Sequence, residues 1–204
     1  MAKTAIAEKV DLYKLHKSEY ITPKEPALVD AGAAKYLTAE GAGAPGGEKF
    51  QEAVGALYSM AYTMKMAKKF AGQDYKVCHL EGLWWGIELM EPQDSWRWKL
   101  LIRVPDFIGA RDLKQTAASL KAKGKPDLPV EIRLETLREG RCVQVLHTGP
   151  YSDEGATVAR MEAFAKGKGL AFAGTHHEIY LSDPRRVAPE KLRTILRIPV
   201  RPPK

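Results

Sequence analysis

The strongest constraint in this sequence is that one order of elements runs through it twice. In the first half, Ala27 to Glu40 reads as one strand or two short ones, and GAGAPGG (41–47) as a loop. Glu48 to Phe70 then has helical spacing, with Phe50, Val54, Leu57, Ala61, Met64 and Ala67 recurring every three or four residues and Gly72 as a stop. Tyr75 to Trp85 reads as a strand, Glu91 to Ser95 as a turn, and Trp96 to Val104 alternates apolar with charged residues as a strand does. Ala110 to Lys123 reads as an amphipathic helix closed by Gly124 and Pro126. The order then repeats. Val130 to Leu137 is a strand, Glu139-Gly140 a tight turn and Arg141 to His147 a strand. A turn at Gly149-Pro150-Tyr151 leads to a helix from Asp153 to Lys166, capped by Ser152 or Asp153. Thr175 to Leu181 and Lys191 to Val200 are the closing strands, joined by a loop that starts at Asp183-Pro184.

Local matches tie the halves together. AGAPGG (42–47) sits where TGPYSD (148–153) sits, CHLEGLWW (78–85) where THHEIYLS (175–182) sits, and KLLIRVP (99–105) parallels RTILRIPV (193–200). Two βαββ modules with pseudo-twofold symmetry can pair edge to edge into one antiparallel sheet, with helices on one face and a ligand groove on the other. The predicted fold is therefore α+β. Residues 1–26 form a polar lead-in and 27–204 the domain, divided into a first module (27–108), a connecting helix (109–129) and a second module (130–204).

The bulk properties exclude several classes. A 204-residue chain that is 45% hydrophobic can bury an ordinary core. No apolar run approaches the roughly 20 residues of a membrane span, and the charged N-terminus lacks a signal core, so a cytoplasmic protein is expected. The net charge of +7 raises nucleic acid as a partner, but Lys and Arg are scattered and no direct contact is expected. Cys78 and Cys142 lie far apart in apolar runs, which suits buried thiols rather than a metal or redox pair. No cofactor or metal is expected: GAGAPGGEKF lacks the Lys-Ser/Thr ending of a phosphate loop, His176 and His177 point to opposite strand faces, and Ser152 has no GxSxG context.

Alternation places His176, Glu178 and Tyr180 on one face of their strand and His177, Ile179 and Leu181 on the other. The first set is polar and is expected to face the groove; the second suits a core beneath helices. The same reading in the first half puts His79, Glu81, Leu83 and Trp85 on one face, and the repeat pairs Glu81 with Glu178.

The segment HEIYLSDPRRVAPEKLRTILRIPV (177–200) resembles the terminal unit of GyrI-like small-molecule-binding domains, and HTGPY (147–151) before a helix is a second feature of that family. The resemblance spans about 27–200. YKVCHLEGLWW (75–85) with WRWKLLIRVPDFI (96–108) is similar to a stand-alone branch without a DNA-binding helix-turn-helix. Members of that branch bind aromatic drugs and open the cyclopropane of DNA-alkylating cyclopropanoids by hydrolysis. The resemblance implies tandem βαββ modules and an aromatic small-molecule ligand, with hydrolysis for detoxification as the activity.

That chemistry gives the candidate residues roles. One carboxylate of Glu178 and Glu81 would activate water and the other would supply a proton, while Tyr180 would polarise a carbonyl. Trp84, Trp85, Tyr151, Tyr58 and Tyr62 are candidates to stack on a flat ligand, with His176 lining the pocket and Trp96 at its edge. Adjacent tryptophans point to opposite faces, and phase with Glu81 favours Trp85, although a bulge at Gly82 would reverse this. Two other readings are a binding protein that sequesters drugs without chemistry and a topoisomerase-interacting protein. No residue pattern singles out a protein partner.

Overall fold

The computed structural model describes residues 9–86, 92–124 and 128–203. Glu91, Lys125, Pro126 and residues 1–8 of the lead-in lie outside the described residues. Strand β1 (Ala27–Ala42) is followed by helix α2 (Glu48–Phe70), β2 (Leu80–Trp85), β3 (Arg97–Val104) and α3 (Ala110–Ala122). The second half has β4 (Arg133–Thr148), α4 (Glu154–Gly167), β5 (Ala171–Phe172), β6 (His176–Tyr180) and β7 (Arg193–Arg201). A short helix α1 (Leu12–Leu15) precedes them, followed by a single 3-10 turn from Lys17 to Tyr20. The protein is thus the α+β fold expected, with mixed helix and antiparallel sheet.

The strands run in the order β4-β1-β3-β2-β6-β7-β5, and β4 also pairs with β7. That last pairing closes six of the strands into a ring. Two long strands make it possible. β1 pairs with β4 through residues 27–38 and with β3 through 35–42, and β4 pairs with β1 through 133–144 and with β7 through 142–148. Each serves two neighbours along its length. Gly140, expected to reverse the chain, instead takes φ +70 inside β4, a value open to glycine, and the register with β1 runs on unchanged on either side of it.

The outer face of the ring carries the helices. The α2 residues Leu57, Met60 and Met64 pack on Leu37, Trp98, Leu100 and Ile102, and the α4 residues Met161 and Ala165 pack on Val143, Val145, Leu196 and Ile198. Helix α2 covers β1 and β3, and α4 covers β4 and β5. The outer face of the central pair β2–β6 lies between the two. The packing is tight where Gly41 meets Trp98, since a Cβ there would stand 2.3 Å from the indole ring. Trp98 is 2% exposed and held edge-on by Phe50, so it cannot swing aside. Gly41→Ala is expected to cost about 1–3 kcal/mol of stability, read as a lower denaturant midpoint at unchanged slope.

The lumen is polar. Arg197 donates to Glu139 Oε2 at 2.9 Å, to Gln144 Oε1 at 2.7 Å and to the Glu19 carbonyl. His177 bridges Glu139 and Glu81, each at 3.0 Å. The Tyr20 hydroxyl reaches Glu81 at 3.3 Å, and Arg103 donates to both Tyr20 and Glu19. The lead-in segment is therefore built into the ring through Glu19 and Tyr20. Glu19, Glu81 and Glu139 face Arg103, Arg197 and His177, and the set is neutral when His177 is charged. Burial opposes that charge, but Glu139 and Glu81 overcome it and raise His177 to about 9. Burial likewise opposes ionising Glu139, but His177 and Arg197 hold its carboxyl down at about 2. A histidine raised from about 6.5 to about 9 contributes stability that is complete below the lower value and lost as pH rises through the upper one. The denaturant midpoint is expected to fall between those two pH values, and His177→Gln removes the share due to this residue.

Candidate active site

The outer face of β2–β6 is built by register. Gly82 pairs with Glu178 and Trp84 with His176, so these residues share a face, while Glu81 pairs with Ile179 and Leu83 with His177 on the lumen side. His176, Glu178 and Tyr180 thus point to the side where the helices lie, between α2 and α4, and His177 and Ile179 point into the lumen. This reverses the faces expected from alternation alone. It also separates the expected carboxylate pair: Glu81 is fully buried and bonded to His177 and Tyr20 on the opposite side of the sheet from Glu178.

The reason is a one-residue slip in the repeat. Arg103 and Arg197 occupy matching places in KLLIRVP and RTILRIPV, and both point into the lumen. Two residues earlier, Leu101 pairs with Glu81 and Ile195 with Ile179. Glu81 therefore corresponds to Ile179 and not to Glu178, and a shift of one residue sends a side chain to the other face. The same phase separates the tryptophans. Trp84 shares the Glu178 face, whereas Trp85 packs in the lumen cluster with Leu83, Tyr36 and Leu101. The strand is regular at Gly82, so no bulge intervenes.

The carboxylate that does meet Glu178 is Glu154, the first residue of α4. His176 Nε2 lies 3.2 Å from Glu178 Oε1 and 3.8 Å from Glu154 Oε2, and all three residues are about 8% exposed. Burial opposes charging His176, but the two carboxylates raise it to about 9. Burial and the Glu178 charge push Glu154 up to about 7, against the pull of His176. Among the described residues these three form a group whose candidate ligand atoms lie within 4.8 Å of one another. Both carboxylates approach the same ring nitrogen, which suits a shared proton better than a lone pair offered to a metal. The sequence holds no signal for Glu154, because an acidic residue in the first turn of a helix is ordinary dipole chemistry. Only its burial is unusual.

Aromatic side chains surround the group. Trp84 Nε1 donates to the Tyr180 hydroxyl at 3.0 Å, and burial together with the nearby Glu178 charge pushes that hydroxyl's pKa up. Tyr151, 39% exposed, stands edge-on to Tyr180 with ring centroids 5.9 Å apart. Phe50 stacks on Trp84 at 5.8 Å and Trp96 meets it edge-on at 6.1 Å. A Cβ at Gly82 would stand 2.9 Å from both Trp84 Nε1 and the Tyr180 hydroxyl, so the glycine leaves room for that bond opposite Glu178. Of the other candidates, Tyr58 is half-buried on α2 and Tyr62 lies beyond it in the solvent, their centroids 6.0 Å apart. No contact ties Tyr62 to the Glu178 group among the described residues.

The family model for the GyrI-like small molecule binding domain matches residues 25–201. The chain belongs to the GyrI-like family. Its members are small-molecule-binding domains. An uncharacterized conserved protein from Listeria innocua is 39% identical with a TM-score of 0.88, and the alignment covers 95% of this chain and 100% of that one. Two Listeria innocua proteins described as hydrolases are 38% and 36% identical, with TM-scores of 0.86 and 0.88 and the same coverage. A comparison with curated proteins gave no match. As a GyrI-like domain the chain binds small molecules, and no helix among the described residues is long and apolar enough to cross a membrane.

Proposed function

We propose that this GyrI-like protein binds flat aromatic molecules over the β2–β6 pair and adds water to a strained electrophile of the cyclopropanoid class. One observation carries the reading: a buried carboxylate, Glu178, is held by His176 at 3.2 Å beside Tyr180, whose hydroxyl accepts from Trp84 and whose ring meets the exposed Tyr151 edge-on. The rings supply apolar contact for a flat ligand, and the carboxylate supplies a base next to it. Two relatives of similar length and more than a third identity are hydrolases, which supports the same class of chemistry here.

In the proposed reaction Glu178 takes a proton from water as the water oxygen attacks the cyclopropane methylene. Tyr180 stands beside the base, and its hydroxyl oxygen accepts from Trp84. Tyr151 is the exposed ring that a flat ligand would meet, Trp84, covered by Phe50, forms the wall behind Tyr180, and Glu81 belongs to the lumen network. The parent spirocyclopropyl dienone is a direct probe, since its hydration gives tyrosol. The expected result is tyrosol formation above the buffer rate together with quenching of tryptophan fluorescence. Quenching without turnover would leave sequestration as the function; neither signal would remove the site altogether.

A further inference from the structure

The ring opening needs a proton as well as a base, and the lumen position of Glu81 leaves that role vacant. Glu154 has the geometry for it. Its Oε1 is buried with no hydrogen-bond partner, while Oε2 faces His176. A buried carboxylate oxygen without a donor is costly, and a proton on it, shared with an incoming acceptor, removes that cost. A second unpartnered group lies on the same face: Thr194 Oγ1, on a residue 1% exposed that pairs with Tyr180 on one side and His147 on the other. The trio itself counts two carboxylates against one imidazole, so it is neutral only when one carboxyl carries a proton.

We propose that Glu154 is the proton donor of the reaction, and that the site therefore takes aromatic electrophiles whose reacting carbon is conjugated to an acceptor oxygen. This rests on Glu178 acting as the base. The water oxygen bonds to the methylene carbon and its proton passes to Glu178. The bond from methylene to ring carbon breaks, and its electron pair moves through the dienone to the carbonyl oxygen. That oxygen takes the Glu154 proton and becomes a phenol. The proton gained by Glu178 returns to Glu154 through His176, which touches both, and the site is restored. The other titratable groups facing Glu154 are His176 and Glu178 from β6, with Tyr180 beyond them and Tyr151 from the turn before α4. Burial and the Glu178 charge hold the Glu154 carboxyl at about 7, so it carries a proton for donation near neutral pH.

The test uses two probes. With the spirocyclopropyl dienone, the wild-type rate is expected to fall as pH rises above about 7. Glu154→Gln is expected to lower the rate about 100-fold and to abolish that alkaline limb. Glu154→Asp, which withdraws the carboxyl but keeps it, is expected to lower the rate and retain the limb. With chalcone, an unreactive aromatic enone, wild-type affinity is expected to weaken over the same pH range and Glu154→Gln affinity to be flat. A Glu154→Gln protein with the wild-type rate and alkaline limb overturns the proposal, as does chalcone affinity that ignores pH in the wild type. If the dienone is not hydrated while chalcone shows the Glu154-dependent limb, the hydrolase reading and the catalytic role fail, and what stands is Glu154 as a hydrogen-bond donor that selects ligands with an acceptor oxygen.

Discussion

Glu178→Gln is expected to lower dienone hydration by 100-fold or more while leaving chalcone binding within a few-fold. The amide keeps the shape of the side chain, so the aromatic walls stay in place. It loses the ability to take a proton from water, and a positioned base contributes about 10²–10⁴ to such a reaction. The substitution also removes one of the two carboxylates that hold His176 up at about 9. His176 is therefore expected to titrate lower in the variant than in the wild type, moving towards its ordinary value. An NMR titration of the ring protons reads that shift without any substrate. A variant that keeps its turnover, or in which His176 does not move, would remove Glu178 from the base role or from the trio respectively.

The second large effect lies in the lumen. Arg197 is 1% exposed and is held by Glu139, Gln144 and the Glu19 carbonyl. Arg197→Met fills much of the space but leaves Glu139 beside His177 alone and orphans Gln144 Oε1, while the Glu19 carbonyl keeps only the Gln144 amide at 3.3 Å. Removing one partner of a buried ion pair costs about 3–5 kcal/mol, a large share of the roughly 5–15 kcal/mol that holds a domain together. The loss is expected as a lower denaturant midpoint. Adding Glu139→Gln is expected to recover part of it, because the second change removes the uncompensated charge. Additive losses in the double variant would show that the two side chains do not act as a pair.

The helices and strands were legible because their signals are local. The Phe50–Ala67 spacing marks α2, the alternation of Trp96 to Val104 marks β3, and Asp153 stands just before α4. Ring closure was not legible, since it depends on β4 pairing with both β1 and β7, and Gly140 looks the same in a reversing turn as inside a continuous strand. Alternation puts His176, Glu178 and Tyr180 on one face of β6, as it does in the structure, but which face that is, and that Trp84 rather than Trp85 shares it, depends on register. Local matching of CHLEGLWW to THHEIYLS follows the shared His and Glu and slips by one position. The strand beside it, with Arg103 over Arg197, holds the correct phase, because two buried guanidinium groups need the same side of the sheet. Glu154 was invisible for a different reason. Its importance comes from burial against β6, which no spacing in its own helix records.

Closing the six strands has a bearing on partners. An open sheet ends in strands with unpaired backbone N–H and C=O groups, and those edges are where another chain can be added as a further strand. Here β1 pairs with β4 and β4 with β7, and among the described residues the longer one-sided stretches are 27–34 of β1 and 133–141 of β4, beside the two-residue strand β5. Backbone strand addition by another protein is therefore confined mainly to those stretches. Elsewhere on the ring the backbone is mostly paired on both sides already, and a macromolecular partner would have to be recognised by side chains.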